Sequence, residues 1–152
     1  MGKLRDQWQS LWGKAGPEPP PMVWRVRVDR ERSAIGRLND RIEQTLASRV
    51  PDEVLRALQV ALDELLTNVV MHARHASGPV EIELTHAAGA LHAKLNYIAA
   101  EFDPTAVQGE DVTSVADSRI GGLGLLLVRS LMDEVRYEYV DGCNVLHLRK
   151  RC

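Results

Sequence analysis

Glu64 and Asn68 are the first residues of this chain whose types and spacing suggest chemistry. They stand four apart in a stretch of helical periodicity, so their side chains are stacked neighbours on one helix face. A glutamate can take up a proton as a general base, and an asparagine side-chain oxygen is a hard ligand suited to Mg²⁺. His72 extends the same stripe by one more turn. A second group, Gly121, Gly122 and Gly124, precedes an apolar segment. Glycines let backbone approach a ligand closely, and a helix N-terminus adds free N–H groups and positive dipole, so phosphate is the natural guest. Each signal also has a plain alternative: an exposed Glu and Asn on an Ala-rich surface, and a flexible hinge leading into a helix. Two common phosphate motifs are excluded. There is no Gly-Lys-Ser/Thr of a P-loop, and the glycines follow a polar loop and lack the third glycine of a dinucleotide-binding turn.

The element that must carry Glu64 and Asn68 is a helix opened by Pro51, with Asp52 and Glu53 in its first turn, where the dipole favours acids. Its pattern runs to about His75, with Gly78-Pro79 as the expected stop. At ~100° per residue, Leu55, Leu58, Leu62, Leu65, Leu66 and Val69 form the core face. The opposite side carries Ala57, Val60, Ala61, Glu64, Asn68 and Met71 where a solvated face would be charged. A carboxylate and an amide on a stripe of small or uncharged residues suit a pocket wall. His72 and His75 are three apart with no third ligand nearby, which does not match zinc-site spacing.

Around this helix the pattern predicts a strand over Met22–Val28 and a helix over Glu31–Ala47, with Ala34, Ile35, Leu38, Ile42 and Leu46 inward. Two alternating strands follow. Val80, Ile82 and Leu84 share a face in the first, and Leu91, Ala93, Leu95 and Tyr97 in the second. Residues 98–120 have no period and read as a long loop, which inside a compact domain is usually functional or disordered. Leu123 to Met132 reads as a helix. Val135–Val140 and Cys143–Arg149 read as strands joined by Asp141-Gly142, a strong hairpin signal. The order β-α-α-β-β-loop-α-β-β predicts an α+β two-layer sandwich with a mostly antiparallel sheet covered by helices.

Composition narrows the classes. Hydrophobic residues are 45% and charged residues 26% of 152 residues, the balance of one ordinary globular domain. The net charge of −2 creates no field favouring nucleic acid or acidic membranes. No apolar run reaches the ~18–20 residues of a membrane span, and the first ten residues lack an apolar signal core. With two cysteines, Cys143 and Cys152, a disulfide framework is not expected and a reducing, cytoplasmic setting is. Pro17, Pro19, Pro20 and Pro21 mark a linker, so residues 1–21 read as a tail and linker and 22–152 as the domain. In that tail Trp8, Leu11 and Trp12 have helical spacing, which suits either a plain terminal tail with two exposed indoles or a short docking helix. No aromatic residue lies between Arg25 and Asn96, which argues against a base-stacking platform there.

Taken together, the two signals are more specific. Asp63-Glu64-Leu65-Leu66-Thr67-Asn68 with His72 resembles the N-box of the GHKL (Bergerat-fold) ATPase superfamily. Arg119-Ile120-Gly121-Gly122-Leu123-Gly124-Leu125 resembles its G2 box and lid hinge. Phe102-Asp103-Pro104, Asp111-Val112-Thr113, and Leu131–Val135 through Gly142-Cys143-Asn144-Val145-Leu146 resemble the anti-sigma-factor serine/threonine kinase branch of bacterial partner-switching systems. The resemblance spans about residues 22–150 in the family's order. It implies a Bergerat ATP-binding fold and ATP with Mg²⁺ as cofactors. Glu64 would be the catalytic base and Asn68 the metal ligand. Asn68, His72, the position of Tyr97, Arg119, Gly121, Gly122, Leu123 and Gly124 would bind the nucleotide. It implies a STAS-domain antagonist as substrate, a sigma factor or other effector as second partner, homodimers as a known assembly, and no direct contact with nucleic acid or membrane.

One departure divides the implied functions. The family places an Asp-x-Gly before the Phe-Asp-Pro, the Asp accepting a hydrogen bond from the adenine amino group. Here those positions are Tyr97, Ile98 and Ala99. Asn96 is one residue early, and a one-residue slip turns a strand side chain to the other face unless a bulge corrects it. The implied function is therefore either an active kinase with an altered adenine site, or a non-catalytic module that sequesters its partner.

Overall fold

The computed structural model describes residues 20–106 and 122–152, and residues 122 and 123 by backbone alone. Five strands, β1 (Met22–Val28), β2 (Ser77–Ala87), β3 (Ala90–Ile98), β4 (Glu134–Val140) and β5 (Cys143–Arg151), form one sheet in the order β1-β2-β3-β5-β4. Every neighbouring pair is antiparallel. Helices α1 (Arg32–Leu46), α2 (Asp52–His72) and α3 (Gly122–Leu131) complete the α+β sandwich, with a short 3₁₀ turn at Pro104–Ala106.

Strand alternation decides which face the helices cover. Val26 and Val28, then Val80, Ile82 and Leu84, then Leu91, Ala93, Leu95 and Tyr97, then Leu146 and Leu148 join the helices' buried residues in one core. Ile42, Leu46, Leu58, Leu62, Leu84, Leu91 and Leu95 have no exposed surface, and burying each such side chain contributes about 1.5–3 kcal/mol. The other face of the sheet is polar. There Arg25 pairs with Glu83 and Arg27 with Glu81 directly across β1 and β2. Such solvated pairs are worth about 0–1 kcal/mol.

The tight turn between β4 and β5 is the hairpin read from Asp141-Gly142. Both residues have positive φ, 51° and 78°, as a type I′ turn requires. The end of α2 differs from the expectation. The helix stops at His72, three residues early, because Ala73 is already extended and His75 is left-handed at φ 53°. Gly78-Pro79 does not end it. Both lie inside β2, where the register with β3 is irregular between Ser77 and Glu81, and that irregularity accommodates a residue with no N–H. The described part of the 98–120 segment is also more ordered than a loop. Asp103 Oδ1 accepts bonds from Thr105 N at 2.8 Å and Thr105 Oγ1 at 2.6 Å, nucleating the 3₁₀ turn. Among the described residues no helix is long and apolar enough to cross a membrane.

Candidate functional site

The second face of α2 is only partly a surface. Ala57 and Ala61 are buried, Val60 and Met71 are exposed, and Glu64 and Asn68 are half-buried between these extremes. The first turn of α3 packs against this stripe. Gly124 lies so close to Glu64 that a Cβ at residue 124 would meet the Glu64 carboxylate oxygen Oε2. The carboxylate thus rests against the N-terminal turn of a helix, next to the residue where only hydrogen leaves it room.

One turn along, a cleft of about 260 Å³ opens between α2, the end of β3, the 100–104 segment and α3. Leu65, Asn68, Val69 and His72 line it from α2, Tyr97 from β3 and Leu125 from α3. The Asn68 amide nitrogen is buried and has no hydrogen-bond partner. A buried unpaired donor costs about 1–3 kcal/mol, so a ligand that supplies an acceptor there is favoured. Glu64 and Gly124 are not on the lining themselves; their chain neighbours Leu65 and Leu125 are.

Tyr97 forms the floor. It is 5% exposed and faces the helices, paired across the sheet with Asn144. The β3–β5 register runs unbroken from Ala90 to Ile98, so no bulge rotates Asn96 inward. Asn96 stays on the opposite face of the sheet, and the inward position is held by Tyr97. Burial pushes the Tyr97 phenol up to about 12, with Tyr137 adding to the shift. Tyr97 is therefore a neutral hydroxyl at any ordinary pH.

The wall beside Tyr97 is held by a residue whose role the sequence reading did not single out. Asn144 has no exposed surface. Its Oδ1 accepts bonds from the Phe102 N–H at 3.0 Å and the Tyr137 hydroxyl at 2.6 Å, and its Nδ2 donates to the Ala100 carbonyl at 3.1 Å. The Tyr139 hydroxyl donates to the Ala99 carbonyl at 3.1 Å, and the Ala100 N–H donates to the Arg74 carbonyl at 2.8 Å. Segment 99–102 is thereby tied to both β-hairpin strands and to the stretch that follows α2. The signal was present in the sequence: Asn144 shares its strand face with Leu146 and Leu148, so it is a polar residue on the core side.

Of the other expected site residues, Gly122 and Leu123 fall in the first turn of α3. His72 is exposed at the cleft rim. Arg119, Gly121, the Asp111-Val112-Thr113 motif and the tail with Trp8, Leu11 and Trp12 lie outside the described residues. Among the described residues no group of three or more His, Cys, Asp or Glu side chains is arranged to hold a metal ion. A Mg²⁺ beside Asn68 would take most of its ligands from phosphate and water, as Mg²⁺ commonly does. The unpaired Asn68 amide donor fits an anionic oxygen such as that of a nucleotide phosphate.

Residues 29–150 match the family model described as a histidine kinase-like ATPase domain. Serine-protein kinase RsbW of Listeria monocytogenes is 33% identical over 101 residues, covering 62% of this chain and 64% of the relative. Serine/threonine-protein kinase BtrW of Bordetella bronchiseptica is 36% identical over 96 residues, covering 60% and 66%. The chain thus spans about two thirds or less of the length of these curated relatives. The crystal structure of the RsbU and RsbW domains of a Mycobacterium tuberculosis protein matches with a TM-score of 0.60 at 16% identity, covering 88% of this chain and 32% of that one. At that identity the likeness is one of fold.

Proposed function

Because the chain belongs to the histidine kinase-like ATPase domain family, we propose that it is an anti-sigma-factor-type serine/threonine kinase that phosphorylates a STAS-domain antagonist. In this reading the antagonist is released once phosphorylated, and the protein then holds a sigma factor or another effector in the cytoplasm. The names of the relatives support the kinase class. The observation that carries the reading is the pairing on α2: Glu64 rests against Gly124, and one turn on, Asn68 offers an unpaired amide to the cleft.

The roles follow from the side chains. Glu64 Oε2 would accept the proton of the partner's serine hydroxyl as general base. Asn68 Oδ1 would hold the metal ion, and its Nδ2, buried without a partner, could donate to a phosphate oxygen. The backbone of Gly122, Leu123 and Gly124, in the first turn of α3, presents N–H groups and positive dipole to anionic oxygens. Arg119 and Gly121 would extend that cradle, and His72 would border it. When bound, ATP with Mg²⁺ supplies the transferable phosphoryl group, and in such reactions positioning and charge neutralisation do most of the catalysis.

The second reading, a partner-sequestering module without turnover, is favoured by one observation. Tyr97 fills the floor of the cleft with a phenol ring. Incubation with labelled ATP, Mg²⁺ and a STAS-domain partner separates the two. Transfer of label to a serine of the partner is the expected result. A stable complex without transfer at any nucleotide concentration leaves only the sequestering module.

A further inference from the structure

β4 is the last strand of the sheet, and among the described residues β5 is its one strand neighbour. The direction of each β4 backbone group follows from that ladder. The two-residue turn at Asp141-Gly142 makes Val140 and Cys143 the first hydrogen-bonded pair, and such pairs recur at every second residue of an antiparallel ladder. Glu134, Arg136, Glu138 and Val140 therefore direct their N–H and C=O groups to β5. Two further bonds agree with this alternation. The Asp133 N–H donates to the Arg149 carbonyl at 2.9 Å, and on the β3 side of β5 the Cys152 N–H donates to the Gly89 carbonyl at 2.8 Å. The backbone N–H and C=O groups of Val135, Tyr137 and Tyr139 consequently point outward, away from β5, in the plane of the sheet.

The two edges of the sheet differ in how they would meet a copy of themselves. β1 follows Pro20 and Pro21, and full overlap of β1 with its copy would set Arg25 against Arg25. β4 carries neither proline nor glycine, and its register with β5 is unbroken from Glu134 to Val140. Its exposed open-face side chains, Glu134, Arg136 and Glu138, alternate in sign. Antiparallel pairing of two copies about Tyr137 places Arg136 of each directly opposite Glu138 of the other, and opposite charges so placed are stabilising. The outward N–H groups of Val135, Tyr137 and Tyr139 then each meet an outward carbonyl. The neighbouring registers, centred on Arg136 or on Glu138, put a charge against its own copy. Within the chain Arg136 pairs with Glu134 and Glu138 with His147, each at 3.1 Å and solvated, so both can turn to a partner at little loss.

We propose that a second copy of this chain adds to the β4 edge, antiparallel and centred on Tyr137, joining the two five-stranded sheets into one. Main-chain bonds supply the affinity of such strand addition, and the two Arg136–Glu138 pairs fix its register. On the helix-covered face Tyr137 lies beside Tyr137 of the second copy, and Val135 beside its Tyr139. No group of the nucleotide cleft enters this contact, so it stands or falls separately from the kinase reading.

The test is sedimentation velocity of the full chain over a dilution series, with charge reversals at the two positions. The unmodified chain is expected to form a dimer that dissociates on dilution. Arg136→Glu and Glu138→Arg each set like charges together at two symmetry-related places, so each should raise the dimer dissociation constant by about tenfold or more. The double variant, Arg136→Glu with Glu138→Arg, restores opposite charges and should recover the dimer. A chain that stays monomeric throughout the series overturns the proposal. So does a dimer that both single reversals leave intact, since it must assemble through another surface. Hydrogen exchange of the unmodified chain gives a second measurement, which decides alone should a variant not fold. The amides of Val135, Tyr137 and Tyr139 are expected to exchange slowly at high concentration and quickly on dilution, while those of Arg136 and Glu138, bonded to β5, stay slow at both. Rates at 135, 137 and 139 that do not change with concentration overturn the proposal.

Discussion

Glu64 Oε2 occupies the volume that a side chain at residue 124 would need. The contact joins α2, where the carboxylate originates, to the first turn of α3. It explains why glycine stands at a helical position where it costs about 0.5–1 kcal/mol relative to alanine.

Gly124→Ala is therefore expected to split stability from activity. The new Cβ would also lie 3.1 Å from Glu64 Cδ and 3.6 Å from Cγ, so the carboxylate must swing aside. A flexible side-chain end moves cheaply, and the helix gains from alanine, so the melting temperature should stay the same or rise. Phosphoryl transfer should fall by about 10²-fold, the cost of a base displaced by an ångström. Unchanged transfer would show that the position of Glu64 seen here is not its working position.

Glu64→Gln keeps the shape and removes the proton acceptor. Transfer to the partner is expected to drop by about 10²–10⁴-fold, the usual contribution of a general base. Nucleotide affinity measured by calorimetry should be unaltered. Retained transfer would remove Glu64 from the base role.

Asn68 offers the opposite separation. Its Nδ2 is buried without a partner, so the empty protein gains nothing from it. Asn68→Ala should leave the thermal midpoint unchanged or raise it, while Mg²⁺-dependent nucleotide binding weakens by tenfold or more. A marked loss of stability would show that Asn68 supports the fold rather than the ligand.

Asn144→Ala leaves the Phe102 N–H, the Ala100 carbonyl and the Tyr137 hydroxyl each short of a bond in a part-buried site. The expected loss is about 2–5 kcal/mol in denaturant titrations, dominated by unpaired polar groups. Amide exchange should rise first at residues 100–102. A change below about 0.5 kcal/mol would mean that water replaces the side chain without cost.

Tyr97 predicts an alkaline limit. Its folded value of about 12 lies above the ordinary 10, so between those values the unfolded chain has lost a proton that the folded chain keeps. Unfolding is then favoured as pH rises, and the stability present below pH 10 is progressively lost toward 12. In Tyr97→Phe that part of the pH dependence should vanish. An identical pH profile in the two proteins would assign the alkaline loss to other groups.

Much of the architecture was legible in the chain because it rests on local periodicity. Trp24, Val26 and Val28 alternate with Arg25 and Arg27, and β1 forms over the expected residues. Asp141-Gly142 specifies its turn through positive φ, which few other residue pairs tolerate. The end of α2 was misread because Gly78-Pro79 is a breaker only for a helix. Here the pair sits at an irregular position in a strand that already has partners on both sides.

The sequence by itself determined that Glu64 and Asn68 share one helix face, because four residues make about one turn of any α-helix. It also determined that Tyr97 and Asn96 point to opposite sides of a strand, because the pleat alternates with period two. Tertiary structure alone decided what those faces meet. It brought Gly124 against Glu64, 60 positions away, and left Asn68 unpaired beside the cleft. It kept β3 free of a bulge, so that Tyr97 is the floor, and set Asn144 opposite it to consume the polar groups of segment 100–102. These contacts depend on how a sheet register and two helices pack together, which no local pattern encodes.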